Sequence, residues 1–315
     1  MRRREEVEAY ASPVSIDQAA LIRLSAPARV IALDALRINS LQTGAYVSHF
    51  KGRGMEFDES RPYQPGDDPR SIDWRVTARS TTAYTKLFRE ERERPVLLLV
   101  DLRNSMHFAT RGSFKSVRAS YAAALLAWAA HQRGDRLGGI IFGDTTHREL
   151  KPRLGRQAAL HFVHELVNHA DWQSARNNSG ATNPEALQQA MATLRRVARP
   201  GSLVIVLSDF SGFGRTAQSY LAGIARHNEV LAISCSDPLE QDLPPPGRYR
   251  LVANDDSVEI DTSGARSRLA YHEEFELRHR QLEDFCRRYY IHLLPLSTED
   301  DPVSRLQQVL GRRGR

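Results

Sequence analysis

The sequence predicts an α/β fold built on a doubly wound, mostly parallel sheet. From residue 95 onward, short apolar runs alternate with stretches of helical length, which is typical of strands joined by crossover helices. The strands predicted at 96–101 and 203–207 are nearly continuous apolar runs, as expected of strands buried on both faces. An N-terminal helical and extended segment and a small hairpin insertion complete the expected architecture.

The first part of the chain predicts a different kind of structure. Residues 15–40 carry apolar side chains at helical spacing, with Asp17 and Ser25 in positions typical of N-caps. Residues 54–79 are rich in Gly, Pro and Asp, which favours extended structure and ordered loop. Residues 82–90 then predict a strand. We therefore divide the chain into residues 1–94 and an α/β domain at 95–315.

The other elements of the α/β domain follow in order. Further strands are predicted at 137–142, 230–234 and 291–296, with an edge strand at 146–150. Helices are expected at 116–132, 157–169, 184–197, 216–227, 268–289 and 303–310. Three prolines interrupt this alternation, and the two short runs 249–253 and 257–261 predict a hairpin. The segment 244–261 is therefore expected to be an insertion.

The composition indicates a folded protein. Of the 315 residues, 41% are hydrophobic and 26% are charged, as in ordinary globular domains. Cys235 and Cys286 match no metal-binding spacing, the N-terminus carries no signal-peptide pattern, and no apolar stretch is long enough to cross a bilayer. We therefore expect a cytoplasmic protein without a transmembrane segment. The basic residues behind the net charge of +6 are interleaved with acids, so nucleic acid is not an expected partner.

Motifs of the common enzyme classes are missing from the sequence. The chain has neither a nucleotide-binding P-loop nor a Gly-x-Ser-x-Gly nucleophile elbow. His164 and Glu165 begin a zinc-protease motif, but Asn168 stands where the second histidine is required. These absences agree with the expectation of a protein without enzymatic activity.

Oxygen-bearing side chains lie at three predicted element boundaries. Asp101 and Ser105 follow the first core strand, Thr182 precedes the helix at 184–197, and Asp209 follows the strand at 203–207. Because the carboxyl ends of parallel strands meet at one edge of a sheet, these side chains are expected to converge. Carboxylate and hydroxyl oxygens are suitable ligands for Mg²⁺. These segments therefore form an oxygen-rich candidate site for Mg²⁺.

Two groups of residues resemble known families. Asp101 and Ser105, with Thr182 and Asp209, resemble the metal-ion-dependent adhesion site of von Willebrand factor A domains. The upstream signature resembles the DUF58 family more specifically, and its residues are Arg61, Tyr63, Asp67, Asp68, Arg70, Asp73 and Trp74. The run 115–136 resembles the same family. The resemblance covers roughly residues 40–240 and implies a von Willebrand factor A-like or Rossmann-like α/β fold.

Arg103 departs from the adhesion-site pattern, in which a serine is expected. A guanidinium stays protonated and has no lone pair, so it cannot ligate a cation. Two buried carboxylates still require a positive charge, because each unpaired one costs several kcal/mol in order of magnitude. Either Mg²⁺ or Arg103 itself, acting as an internal counter-ion, supplies that charge. The site is thus expected to be a degenerate adhesion site.

The resemblance implies a bacterial interaction protein. Von Willebrand A domains bind protein partners, and DUF58 proteins resemble components encoded beside MoxR-type AAA+ ATPases. We therefore expect an adaptor or co-chaperone that links such an ATPase to client proteins, without a cofactor unless Mg²⁺ binds. Arg103 would offer its guanidinium to a partner carboxylate.

The signature has two interpretations. It forms either a partner-binding surface or a salt-bridged network that braces the fold, with Tyr63 and Trp74 as apolar anchors.

The alternative function is a metal-dependent phosphoester hydrolase. Two-metal sites use clusters of carboxylates, and this chain offers Asp67, Asp68, Asp73, Asp101 and Asp209. His107 would then be the general base.

Overall fold

The computed structural model describes residues 12–33, 55–64, 67–80, 82–90, 94–172, 182–253 and 256–311. The chain divides into two compact units. The first unit comprises Met1–Val47 and Arg94–Arg315, and the second unit comprises Ser48–Glu93. The N-terminal residues therefore group with the α/β domain, whereas the sequence suggested one region at 1–94.

The elements are numbered here in chain order. The described strands are β1 (Met55–Pro62), β2 (Tyr84–Glu90), β3 (Pro95–Asp101), β4 (Arg136–Phe142), β5 (His147–Arg153), β6 (Leu203–Ser208), β7 (Glu229–Ser236), β8 (Arg248–Ala253), β9 (Asp256–Asp261) and β10 (His292–Ser297). The α-helices are α1 (Gln18–Arg23), α2 (Trp74–Thr77), α3 (Lys115–Arg133), α4 (Arg156–Val167), α5 (Pro184–Val197), α6 (Arg215–Ala225), α7 (Pro238–Gln241), α8 (Ala265–Arg288) and α9 (Pro302–Leu310). From residue 95 onward, the predicted elements are present with bounds that differ by a few residues.

The main sheet belongs to the first unit. Its described strands have the order β10-β7-β6-β3-β4-β5. All neighbours in this order are parallel except β5, which runs antiparallel to β4. The chain adds β4 on one side of β3 and β6 on the other side, so the strand order reverses between β3 and β6. In open α/β sheets, the carboxyl ends of such a strand pair border the ligand crevice.

Helices cover both faces of this sheet. On one face, Val96, Leu98 and Val100 belong to a core that includes residues of α3, α4 and α9. On the other face, Leu97 and Leu99 belong to a core with residues of α5, α6 and the end of α8. The side chains of a strand alternate between the two faces of a sheet, so β3 contributes to both cores. The expected α/β fold with a central, mostly parallel sheet is therefore confirmed.

The N-terminal segment is part of the core of the first unit. The carboxylate of Asp17 accepts a hydrogen bond from the backbone N–H of Ala20 at 2.9 Å, which caps α1 as the sequence predicted. Leu21 is fully buried, and its carbonyl accepts a hydrogen bond from the Trp128 indole at 3.0 Å. These contacts explain why this segment groups with the main sheet.

The helical structure near the N-terminus is shorter than predicted. Helix α1 ends at Arg23, and a 3₁₀ turn follows at Pro27–Val30. Ser25 is not an N-cap, because the turn begins after Ala26 and has no side-chain cap. The remainder of the expected helix, at 34–40, lies outside the described residues.

The second unit contains an antiparallel pair formed by β1 and β2, whose register shifts between Phe57 and Glu59. Ile72 forms an isolated bridge to Thr85 of β2. The sequence predicted β2 but only extended structure at β1, because the residues of β1 show no regular apolar alternation.

The insertion forms the predicted hairpin, in which β8 and β9 pair antiparallel. The hydroxyl of Thr262 is fully buried and donates a hydrogen bond to the Pro245 carbonyl at 2.8 Å, which ties the end of the hairpin to the proline segment. Within the described part of the chain, no helix has both the length and the apolar character that spanning a membrane requires.

Candidate functional site

The carboxyl ends of β3 and β6 bring two aspartates together. Asp101 is the last residue of β3, Asp209 directly follows β6, and the two strands are paired neighbours. The Asp101 side chain is completely buried, and that of Asp209 is 6% exposed. Asp101 also accepts a hydrogen bond from the Ser208 hydroxyl at 2.6 Å. Two buried carboxylates at this edge of the sheet require positive charge nearby.

Arg103 supplies one positive charge from inside the fold. Its Nε donates to Asp101 Oδ1 at 3.0 Å, and its NH2 group donates to Asp101 Oδ2 at 2.7 Å and to Asp209 Oδ1 at 3.3 Å. Its NH1 group donates to the Ser211 carbonyl at 3.0 Å. The guanidinium also lies 5.8 Å from the centre of the Phe142 ring. Arg103 therefore bridges the two carboxylates and connects the loops that follow β3 and β6.

Arg103 does not present its guanidinium at the surface. The side chain is 0% exposed, and its hydrogen bonds lead to Asp101, Asp209 and a backbone carbonyl. The structure thus differs from the expectation that Arg103 offers a donor to a partner carboxylate. An arginine becomes a partner-binding residue only where its guanidinium can be reached.

Lys115 supplies a second positive charge, which the sequence did not single out. It is the first residue of α3, and its side chain is 1% exposed. The ammonium donates to Asp209 Oδ2 at 3.2 Å and to Glu240 Oε1. The other Glu240 oxygen accepts from the backbone N–H of Asp237, which forms a capping box at the start of α7. This box holds Glu240 against Lys115.

Asp101, Asp209, Arg103 and Lys115 form one network of buried charges. This environment shifts the pKa of each of the four groups. Burial raises the pKa of Asp101, against the opposing effect of Arg103. Burial also acts to raise the pKa of Asp209, but Lys115 and Arg103 outweigh it, and the pKa is lowered. For Arg103 and Lys115, burial acts to lower the pKa, but the facing carboxylates outweigh it, and both pKa values are raised. The two cations therefore stay charged at neutral pH.

The arrangement does not fit a bound Mg²⁺. This ion requires near-octahedral oxygen coordination at about 2.0–2.1 Å, and a bridging ion would use Asp101 Oδ2 and Asp209 Oδ1. An Arg103 nitrogen lies within hydrogen-bond distance of both of these oxygens. Asp209 Oδ2 is already paired with Lys115. Across the described ranges, no group of three or more His, Cys, Asp or Glu side chains is arranged to hold a metal ion.

The two hydroxyl residues of the predicted metal set have different positions. The Ser105 hydroxyl oxygen is buried and has no partner in hydrogen-bond geometry among the described residues, although it lies close enough to Asp209 to help lower the pKa of that carboxyl. Thr182 is half-buried beside Asn183 at the start of α5. Among the contacts of the described residues, no hydrogen bond links Thr182 to the Asp101–Asp209 network.

Asp144 organises the two loops that flank the network, although it was not among the residues predicted to form the site. One carboxylate oxygen accepts from the Asn104 backbone N–H at 2.7 Å, and the other accepts from the Asn183 backbone N–H at 2.6 Å. The Asp144 carbonyl also accepts from the Asn183 side chain at 3.2 Å. Its position directly after Gly143 at the end of β4 was the available signal. A carboxylate there joins the loop after β3 to the start of α5.

His107 is held as a neutral side chain. Its Nε2 is 3.0 Å from the Leu102 carbonyl and its Nδ1 is 2.9 Å from the Ser116 hydroxyl, which suits a neutral ring that donates through Nε2. Burial lowers the pKa of His107 to about 4.

The two cysteines are buried thiols. Burial raises the pKa of the Cys235 thiol, and it raises that of Cys286 to about 12. Neither cysteine is therefore a thiolate nucleophile at neutral pH.

The second unit uses its acidic signature residues for local structure. Asp67 accepts from Arg61 at 2.7 Å and from the Gln64 backbone N–H at 2.9 Å. These contacts keep the pKa of Asp67 low, with the backbone hydrogen bond as the main cause. The Tyr63 hydroxyl lies 3.4 Å from the Asp67 carbonyl. Arg61, Tyr63 and Asp67 therefore form one local cluster that fixes the turn after β1.

Two further aspartates cap short helices in this unit. Asp68 accepts from the Arg70 backbone N–H at 2.9 Å, at the start of the 3₁₀ turn Pro69–Ser71. Asp73 is buried and accepts from the backbone N–H groups of Arg75 and Val76 at the start of α2. These aspartates stabilise the backbone at the two helix starts.

The exposure of Trp74 disagrees with the interpretation of the signature as a brace for the fold. Its side chain is 70% exposed, so it is not an apolar anchor of the second unit. A large aromatic side chain in contact with water is unusual on a protein surface.

Comparison with known proteins gives a family and uncharacterised relatives. The family model described as "Protein of unknown function DUF58" matches residues 59–281. Uncharacterised proteins of Mycobacterium tuberculosis and Mycobacterium bovis are each 33% identical to this chain over 233 residues, which is 71% of this chain and 69% of theirs. The family match includes the signature of the second unit and the network at β3 and β6.

Two solved structures have a weaker likeness. They are a conserved hypothetical protein, BatB, from Bacteroides thetaiotaomicron (12% identity, TM-score 0.40) and an aerotolerance-related membrane protein from Bacteroides fragilis (14% identity, TM-score 0.42). Each matches 69% of this chain and 96% of its own. At these TM-scores, neither likeness carries an argument about fold or function.

Proposed function

The chain belongs to the DUF58 family, and on that premise we propose that it is a non-enzymatic, cytoplasmic adaptor. Its main sheet is a von Willebrand factor A-like interaction module, and it links a MoxR-type AAA+ ATPase to client proteins. Recognition by this module does not depend on a metal ion. The family resemblance suggests the partner, and the geometry at β3 and β6 supports the mode of recognition.

The proposal rests on the buried ion pairs within the network. Asp101 and Asp209 face Arg103 and Lys115, and each of these side chains is at most 6% exposed. A catalytic carboxylate needs an open position for a metal, a water or a substrate. In this network, all four carboxylate oxygens of Asp101 and Asp209 already accept hydrogen bonds from Arg103 or Lys115. The network therefore holds loops in place instead of reacting.

The loop 107–114 is the contact surface of this module. Its middle is fixed, because the backbone N–H and hydroxyl of Thr110 donate to Asp237 at 2.8 and 2.7 Å. Phe108 is 37% exposed, and the Arg111 side chain is 79% exposed. A fixed loop with an aromatic and an arginine at the surface suits a protein contact, since these residue types are enriched at binding hot spots.

The experiment measures binding between the purified chain and a purified MoxR-type ATPase from the same genome, by biolayer interferometry in Mg²⁺ and in EDTA. We expect the same Kd in both buffers, and a loss of about tenfold or more in the variants Phe108→Ala and Arg111→Glu. Arg226→Glu is the matched control, because Arg226 is exposed on the same unit at the end of α6. Light scattering verifies that the ATPase keeps its oligomeric state in each buffer.

Two results would contradict the proposal. The first is a Kd that weakens in EDTA while the ATPase remains assembled, because the module would then need a metal. The second is turnover of bis(p-nitrophenyl) phosphate with Mn²⁺ that Asp101→Ala abolishes, because this is the behaviour of the alternative hydrolase. Asp67, Asp68 and Asp73 would be ligands in that alternative, but each of them accepts local hydrogen bonds.

A further inference from the structure

The second unit separates its acidic and basic residues by role. Asp67 pairs with Arg61, whereas Asp68 and Asp73 accept hydrogen bonds from backbone N–H groups. These acids are therefore committed to local structure. Among the described residues, the arginines that follow them in sequence have no such hydrogen bonds or ion pairs.

Three arginines of this unit are exposed and have no partner among the residues that the structure describes. Arg70, Arg75 and Arg79 are all exposed. Within the part of the chain that the structure describes, none of them forms an ion pair or donates a side-chain hydrogen bond. Arg75 and Arg79 are four residues apart around α2 and its C-terminal turn, so they lie on one side of it. The three positive charges therefore extend into solvent from a short stretch of chain.

Apolar side chains flank Arg75. Trp74 is 70% exposed and Val76 is 36% exposed, and both belong to α2. Because consecutive residues of an α-helix lie about 100° apart around its axis, these two side chains lie on opposite sides of Arg75, and Trp74 is the larger exposed apolar side chain next to the arginines. Trp and Arg are the residue types most enriched at the centres of protein interfaces.

We propose that Trp74, Arg70, Arg75 and Arg79 form a docking surface for an acidic peptide segment of a partner protein. The carboxylates of the segment pair with the arginines, and an apolar side chain of the segment packs on Trp74. This inference rests on the second unit alone and does not depend on the proposed role of the network at β3 and β6.

The surface suits a peptide better than a nucleic acid. Asp67 and Asp68 lie within a few residues of Arg70 in sequence, and Asp68 is exposed. A nucleic-acid strand carries a negative charge at every nucleotide, so its backbone would pass close to these carboxylates. A peptide can place a few carboxylates opposite the arginines and none opposite the aspartates.

The test uses a fluorescein-labelled peptide in which glutamates alternate with leucine and phenylalanine. The comparison probes are the same peptide with glutamine in place of glutamate, and single-stranded oligothymidylate. Fluorescence anisotropy of the full-length chain measures each Kd. We expect the glutamate peptide to bind about tenfold or more tightly than the glutamine peptide, and added salt to weaken its binding.

Tryptophan emission gives a second measurement. The chain has three tryptophans, and Trp128 and Trp172 are buried, so a blue shift on peptide binding reports on Trp74. We expect Trp74→Ala to remove this shift, and the double variant Arg75→Gln, Arg79→Gln to weaken peptide binding by about tenfold or more. Arg226→Gln is the matched control at an exposed arginine of the first unit, and circular dichroism verifies that each variant is folded.

Three outcomes would overturn the proposal. They are equal affinity for the glutamate and glutamine peptides, unchanged peptide binding by Trp74→Ala, and tighter binding of the oligothymidylate than of the glutamate peptide. None of these outcomes bears on the ATPase proposal, whose variants lie in the loop 107–114.

Discussion

The network at β3 and β6 and the surface around α2 use the same residue types in opposite ways. In the network, Asp101 and Asp209 are buried against Arg103 and Lys115. Around α2, the aspartates cap the backbone, and the arginines remain in solvent. The partners of a charged residue, and not its type, therefore decide whether it stabilises the fold or offers a contact. This comparison leads to three predictions about stability, in order of decreasing effect.

Asp101→Ala should have the largest effect. It leaves the buried guanidinium of Arg103 with Asp209 as its remaining carboxylate partner. Breaking a buried ion pair on one side typically costs about 3–5 kcal/mol, and we expect a loss of this size in the free energy of unfolding. Urea denaturation followed by circular dichroism measures it. Glu149→Gln is the control, because its pair with Arg196 is exposed and should be worth less than about 1 kcal/mol. A similar loss of stability in Asp101→Ala and Glu149→Gln would contradict the contrast between buried and exposed ion pairs.

Acid should destabilise the chain through His107. The unfolded imidazole binds its proton near pH 6.5, whereas the folded pKa is about 4. As pH falls through this window, the unfolded state takes up a proton that the folded state does not, so stability decreases, by about 3 kcal/mol at pH 4. The lowered pKa of Asp209 adds a further loss below its unfolded value, near pH 4.

The measurement for this second prediction is urea denaturation at a series of pH values. His107→Gln should flatten the decrease between pH 6.5 and pH 4. His147→Gln, at an exposed position of β5, should leave it unchanged. A decrease of the same slope in His107→Gln would show that another group is responsible.

The smallest effects should occur around α2. Asp73→Ala removes an N-cap and should cost about 1 kcal/mol. Trp74→Ala, one residue later, should change the free energy of unfolding by less than about 0.5 kcal/mol, because the side chain is exposed. Differential scanning calorimetry of the two variants tests this. A larger loss for Trp74→Ala than for Asp73→Ala would place Trp74 in the packing of the second unit.

The sequence was sufficient for much of the main sheet. Strands β3 and β6 were predicted because buried parallel strands read as continuous apolar runs, and the meeting of Asp101 with Asp209 followed from strand direction. Strand β1 was less clear, because its residues lack regular alternation. The N-cap at Asp17 was predicted correctly, whereas Ser25 was not an N-cap because Pro27 begins a 3₁₀ turn.

The parts that could not be predicted depend on contacts distant in sequence. Lys115 is 94 residues from Asp209 and 125 residues from Glu240, and no local pattern indicates such a pairing. Asp144 likewise contacts Asn104 and Asn183, 40 and 39 residues away. Whether Trp74 is exposed could not be decided from the sequence, because the neighbouring aspartates and arginines suit a buried anchor and an exposed contact residue equally well.

The two edge strands of the main sheet restrict how copies of this chain can associate. Among the described strands, β5 and β10 lie at the edges, and each contains a proline, Pro152 and Pro295. Proline lacks the N–H that a neighbouring strand needs, and β5 also carries charged side chains along most of its length. Sheet extension from one copy to the next is therefore disfavoured at both ends, which protects the chain from edge-to-edge aggregation when it is abundant.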